Sequence, residues 1–322
     1  MEIFILTLKQ MLMMFAFILV GFLLRKKMII FENSDTVMAR LETYVFVPAL
    51  SLYTMITQCT VQTFAENSKL ILYGLIINLV AIIAAYPLSA MFIRKSSASP
   101  EKAYSRNVYK YAMAYGNYGF MGNFIILGVW GDAMFYKYTM FTFLVAILCS
   151  SWGLYILIPK EQNEGLWHNL KKALITPPII ALVAGIIIGL SGLSRFVPDF
   201  LITAFNNAGQ CQGPVAMLLA GFVIGGYDFK KLLLNKKVYI ATALRLVVLP
   251  AILMVILKLL GASEELMVLA LVLSATPLGL NTIVYPAAYG GETQTGASMA
   301  TISHTLSVIT IPLMYLLFIV IL

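Results

Sequence analysis

Apolar residues run along the chain in blocks of about 20, the length of α-helix that crosses a bilayer core, and short polar stretches separate the blocks. Blocks of this length predict ten spans, over residues 3–24, 37–55, 70–93, 108–129 and 138–158 in the first half and 173–193, 200–222, 238–260, 266–289 and 297–322 in the second. Backbone polar groups cannot go unpaired in hydrocarbon, so spans must be helices or a closed barrel. Unbroken apolar runs exclude the alternating pattern of a barrel. The pattern therefore predicts an all-α polytopic membrane protein.

Composition agrees. Hydrophobic residues supply 61% of 322 positions and charged residues 11%, against about 25% in soluble domains. Cys59, Cys149 and Cys211 are odd in number, far apart and lack metal-ligand spacing, so no disulfide framework, metal site or cofactor is expected and they read as small apolar side chains. The net charge of +8 sits mainly in short loops, which points to membrane orientation rather than nucleic acid. Loops on one side carry fifteen Lys and Arg (Arg25, Lys26, Lys27, Arg94, Lys95, Lys102, Arg106, Lys110, Lys160, Lys171, Lys172, Lys230, Lys231, Lys236, Lys237), against five near the other (Lys9, Lys69, Lys137, Arg195, Lys258). This asymmetry predicts cytoplasmic basic loops, both termini outside and a multi-pass protein of the cell membrane. The first run lacks a basic leader, so it is expected to be a retained helix rather than a cleaved signal.

Punctuating residues recur at a nearly constant offset: Gly21 and Gly185 differ by 164, Pro48 and Pro214 by 166, Pro87 and Pro250 by 163, Asn117 and Asn281 by 164. Two five-span repeats are therefore expected, over 1–158 and 173–322, joined by a connector at 159–172. An odd number of spans in each half inverts one relative to the other, an arrangement common in secondary transporters.

The fourth span contains Tyr115-Gly116-Asn117-Tyr118-Gly119-Phe120-Met121-Gly122-Asn123 and the ninth Ala275-Thr276-Pro277-Leu278-Gly279-Leu280-Asn281-Thr282. Glycine weakens a helix and proline removes one of its hydrogen bonds, so both spans are expected to break near mid-membrane, at Pro277 and Gly279 in the ninth. Opened half-helices expose N–H groups that favour an anion, and Asn117 and Asn281 add neutral donors. The expected substrate site comprises Asn117, Gly119, Gly122, Asn281 and Thr282, with Gln210 and Gln212 from a second polar break beside Pro214 and its counterpart at Pro48. The competing reading is helix packing through small residues and interhelical amides. Ionisable residues inside spans are costly and few. Glu42 is a candidate proton or cation site, Arg245 a substrate or structural charge partner, and His304 a packing histidine before it is a proton relay.

Taken in order, Phe46-Val47-Pro48-Ala49-Leu50, Gly116-Asn117-Tyr118-Gly119-Phe120-Met121-Gly122, Thr176-Pro177-Pro178-Ile179-Ile180-Ala181, Leu244-Arg245-Leu246-Val247-Val248-Leu249-Pro250 and Ala275 to Thr282 resemble the auxin efflux carrier family, whose bacterial members look like malate or malonate permeases. The resemblance covers essentially the whole chain. It implies broken crossing helices 4 and 9, a scaffold of helices 1, 2, 6 and 7, and an elevator-like transport domain of helices 3–5 and 8–10, with Asn117 and Asn281 on a substrate carboxylate. The chain departs from the family pattern at Gly122-Asn123-Phe124, where a proline usually follows the motif glycine two positions on. The expected function is export or exchange of small organic anions, with a homodimer as an open arrangement. The alternatives are a proton- or sodium-coupled importer using Glu42 and His304, and a channel, which needs a polar stripe longer than these local breaks. With His168 and His304 the only histidines and no Gly-x-Ser-x-Gly, an enzyme is disfavoured.

Overall fold

The fold was analysed in a computed structural model describing residues 2–93, 100–289 and 291–321, so Arg94, Lys95, Gly290 and the terminal Leu322 lie outside the described residues. The chain is helical throughout, with no strand among the described residues. Among the described residues, six helical stretches are long and apolar enough to cross a bilayer. A seventh is counted if Leu166–Leu174 and Pro177–Leu190, bent by 49°, form one span. Leu12, Leu19, Ile83, Ile187, Ile252 and Ile309 are exposed on the outer surface, as lipid-facing positions are.

Several predicted spans take less regular forms. The second is built from Ser34–Leu41, a π-helical turn Glu42–Phe46 and Val47–Gln58. The eighth repeats the device, with a π-turn at Leu244–Val248 directly before Leu249–Leu259. In both a proline, Pro48 or Pro250, follows the π-turn and occupies the first turn of the next helix, where its missing N–H costs little. Helical backbone therefore continues through both prolines. Predicted spans four and five meet without a loop: helix Asn123–Leu148 runs through a single turning residue, Gly131, whose φ of 75° favours glycine.

Close glycine contacts sort the helices into two groups. Helix Glu2–Lys26 packs on Gln212–Gly225, with Gly21 against the Leu218 backbone and Gly221 against that of Ile18. Helix Val47–Gln58 packs on Pro177–Leu190, where Gly185 and Gly189 meet Met55 and Cys59, and on Asp199–Gln210, where Gly209 meets Leu50. In the other group, Lys69–Phe92 lies on Pro100–Ala114 and on Asn123–Leu148, with Gly74 against Phe141. Leu249–Leu259 and Gln294–Tyr315 both pack on Glu264–Ala275. Helices in lipid have no hydrophobic drive to associate, so such backbone approaches supply the van der Waals contact that holds them. In the connector, a hydrogen bond from Lys172 (2.6 Å), with His168 alongside, holds the Glu164 carboxyl below the usual carboxylate range.

Candidate functional site

Two helix breaks meet at the centre of the second group. Helix Pro100–Ala114 ends ahead of Tyr115-Gly116-Asn117, and the chain resumes through a π-turn, Tyr118–Gly122, whose Met121 and Gly122 N–H groups both donate to the Asn117 carbonyl (2.9 and 3.0 Å). Helix Glu264–Ala275 stops at Thr276, held extended (ψ 146°) because Pro277 follows it, and helicity returns at Asn281–Ala288. The Asn117 N–H donates to the Pro277 carbonyl at 2.6 Å, and Leu278 N–H donates to Ser303 Oγ at 3.0 Å. Each break thus satisfies part of the other's backbone, which is the condition for irregular chain at membrane depth.

The asparagine side chains are fixed by different partners. His304 Nδ1 lies 2.8 Å from the Ala300 carbonyl, which can only accept, so Nδ1 carries the proton and Nε2 accepts from Asn117 Nδ2 at 3.3 Å. Asn281 Nδ2 donates to the Tyr111 hydroxyl at 2.9 Å, and that hydroxyl also contacts Cys149 Sγ at 3.2 Å. His304→Ala is therefore expected to leave the fold intact but free the Asn117 amide to rotate. We expect it to raise the KM for transport about tenfold, with His304→Gln, which retains an acceptor, restoring part of the loss; flux assays on the two variants check this.

A cavity of 290 Å³ opens against this crossing. Asn117, Gly119, Gly279 and Asn281 line it from the breaks, Cys149 and Thr142 from one side, and Thr43, Ser51 and Ile179 from the first group. Among the described residues its wall carries no Asp, Glu, Lys, Arg or His; polar amides and hydroxyls share it with Leu50, Phe120, Phe143 and Leu182. The π-turn Tyr118–Gly122 and helix Asn281–Ala288 both begin at this cavity, and the start of a helix favours negative charge.

The remaining predicted residues lie elsewhere. Gly122 packs against the Tyr138 hydroxyl, and Thr282 is fully buried with its hydroxyl donating to the Gly279 carbonyl at 3.1 Å. Gln210 and Gln212 line a second cavity of 370 Å³, together with Gln10 and Asp132. Gln212 reaches the first site only through its Nε2, which donates to the Gly119 carbonyl at 3.4 Å. Pro214 lies within helix Gln212–Gly225 and Pro48 within Val47–Gln58, and neither lines either of these two cavities. Glu42 is fully buried in its π-turn, and neither carboxylate oxygen has a partner among the described residues. Arg245 lies behind the crossing, with Nη2 donating to the Leu273 carbonyl at 3.3 Å.

Sequence reasoning missed Gln10, Tyr111 and Cys149. An isolated amide in an apolar helix is itself a signal, and Gln10 donates from Nε2 to the Phe124 carbonyl at 3.0 Å across the two helix groups. Cys149 read as apolar because nothing in its spacing reveals the Asn281 amide beside it.

The sequence profile of a family described as membrane transport protein matches residues 6–315. Comparison with curated proteins gives no match.

Proposed function

Because this chain belongs to the auxin efflux carrier-type family of membrane transport proteins, we propose that it moves small organic anions across the cell membrane by alternating access at the crossing of the two broken helices. The observation that carries this reading is the bond from Asn117 N–H to the Pro277 carbonyl beside a cavity walled by Asn117 and Asn281. Half-helix starts and neutral amides suit a carboxylate head, and the apolar wall suits a carbon body. The helix groups described above supply a still part, packed around Glu2–Lys26 and Val47–Gln58, and a moving part that carries the crossing between sides as an elevator.

Thr176, which stands at the start of helix Pro177–Leu190 a few residues after Lys171 and Lys172, lines the cavity, so the site opens toward the cytoplasm when that basic loop lies inside. A monoanion leaving a cell that is negative inside gains about 2.3 kcal/mol per 100 mV, which drives export without a coupled ion. A thermal-shift panel of mono- and dicarboxylates and indole acids identifies the cargo, since binding to the folded protein raises its apparent stability. In liposomes, Asn117→Ala with Asn281→Ala is expected to cut flux of that carboxylate at least tenfold, each lost hydrogen bond to a charged group being worth roughly 1.5–3 kcal/mol. Unaltered flux in the double variant defeats the site.

A further inference from the structure

Arg245 is a cation with no anion. Its side chain is 5% exposed, forms no ion pair among the described residues, leaves Nε without a partner, and donates only from Nη2 to the Leu273 carbonyl at 3.3 Å. Guanidinium stays protonated in proteins, and burying an unpaired charge is costly enough that structures rarely retain one without a use. The π-turn that carries Arg245 packs on Lys236–Ala243, Leu249–Leu259, Glu264–Ala275, Gln294–Tyr315 and Pro100–Ala114. Of the acids on those helices whose environment is described, Glu264 and Glu265 lie in the first turn of Glu264–Ala275, far from Leu273, and Glu265 is paired with Lys137. Glu42, the buried acid, belongs to the other group of helices. Position identifies the missing partner. A Cβ added to Gly116 would strike Arg245 Nη2 and Thr276, and Gly116 also lines the cavity at the crossing. The guanidinium therefore stands one glycine behind the wall that faces the cargo.

We infer that Arg245 is the fixed countercharge of the cargo, so that the buried crossing is electrically neutral when it holds a monocarboxylate and carries one positive charge when empty. This rests on the transport reading above. It assigns the action of membrane voltage to one half of the cycle. The loaded step moves no net charge, whereas the empty return moves a positive charge inward, and one complete export cycle still transfers the charge of one anion. A potential negative inside thus pulls the empty carrier back to the cytoplasmic side.

The test begins without any substrate. Voltage steps applied to membranes containing the full-length protein, with no carboxylate on either side, are expected to produce a saturable transient of about one elementary charge per transporter. Arg245→Lys is expected to keep it. Arg245→Gln is expected to reduce it to less than a tenth. Should Arg245→Gln fail to fold, Asn78→Asp serves. Asn78 and Arg245 line the same 160 Å³ cavity, and Asp keeps the oxygen that accepts from the Tyr115 hydroxyl at 3.0 Å while adding a cancelling charge, so the transient again disappears. In a second arm, liposomes are clamped with potassium and valinomycin. Exchange of the monocarboxylate that the thermal-shift panel identifies is expected to be independent of potential, while its net efflux is not. A missing transient in the unmodified protein, an unchanged one in Arg245→Gln or Asn78→Asp, or exchange as sensitive to voltage as net efflux overturns the inference. Transients without flux of any carboxylate refute the transport reading and the countercharge role with it, whereas carboxylate flux without transients refutes the countercharge alone.

Discussion

Asn281→Asp is expected to abolish carboxylate transport at neutral pH while leaving the fold intact. The substitution is isosteric, and the position lies on the cavity wall with its amide nitrogen 2.9 Å from the Tyr111 hydroxyl, which can donate to a carboxylate as readily as it accepts from an amide. What changes is charge. Two like charges about 4 Å apart at an effective dielectric constant near 20 repel by about 4 kcal/mol, roughly three orders of magnitude in occupancy. Flux in liposomes should fall at least a hundredfold, with an unshifted melting temperature as the control. A variant that transports carboxylates at the normal rate places the anion away from Asn281, and one that gains flux of a cationic solute reverses the sign of the cargo.

The second large effect is structural. Gly116→Val is expected to pull the two breaks apart, because a Cβ there meets the Arg245 guanidinium and both the side chain and the backbone oxygen of Thr276. The Thr276 backbone cannot withdraw without dragging Pro277, whose carbonyl accepts from Asn117. Overpacking typically costs 1–3 kcal/mol, and here it falls on the joint that aligns the cavity wall. A drop of several degrees in melting temperature and a loss of flux beyond a hundredfold are expected. Gly119→Ala is the contrast, since a Cβ at Gly119 has nothing within 4 Å, and its melting temperature should match that of the unmodified protein.

The sequence declared the parts of this fold that depend on a single segment. Apolar run length announces helices in lipid, and the run around Gly116 and the Thr276-Pro277 pair announced interruptions, because each acts on its own backbone. Relations between segments were hidden. The bond from Asn117 to Pro277 joins residues 160 positions apart, and no local signal encodes it. Gln210 and Gln212 line a cavity other than the one at the crossing, since counting residues fixes height along a helix more firmly than which neighbour it faces. Pro48 looked like a break, yet the helix continues through it, because it sits in the first turn of Val47–Gln58 and one extra residue in the preceding turn accommodates the ring. The loop expected between spans four and five shrank to Gly131 for a related reason: one glycine with positive φ turns the chain where several polar residues seemed necessary.

Gln10 and Gln212 reach from one helix group to the other, and both take hold of main-chain oxygens, those of Phe124 and Gly119. A grip on the backbone ignores side-chain identity. Along a helix such oxygens recur with every 5.4 Å turn, so an element that slips by one turn offers these glutamines the same acceptor again. Were the two groups to slide past one another as proposed, these two amides would act like a pawl on a toothed track, giving the motion discrete stops without a separate set of contacts evolved for each.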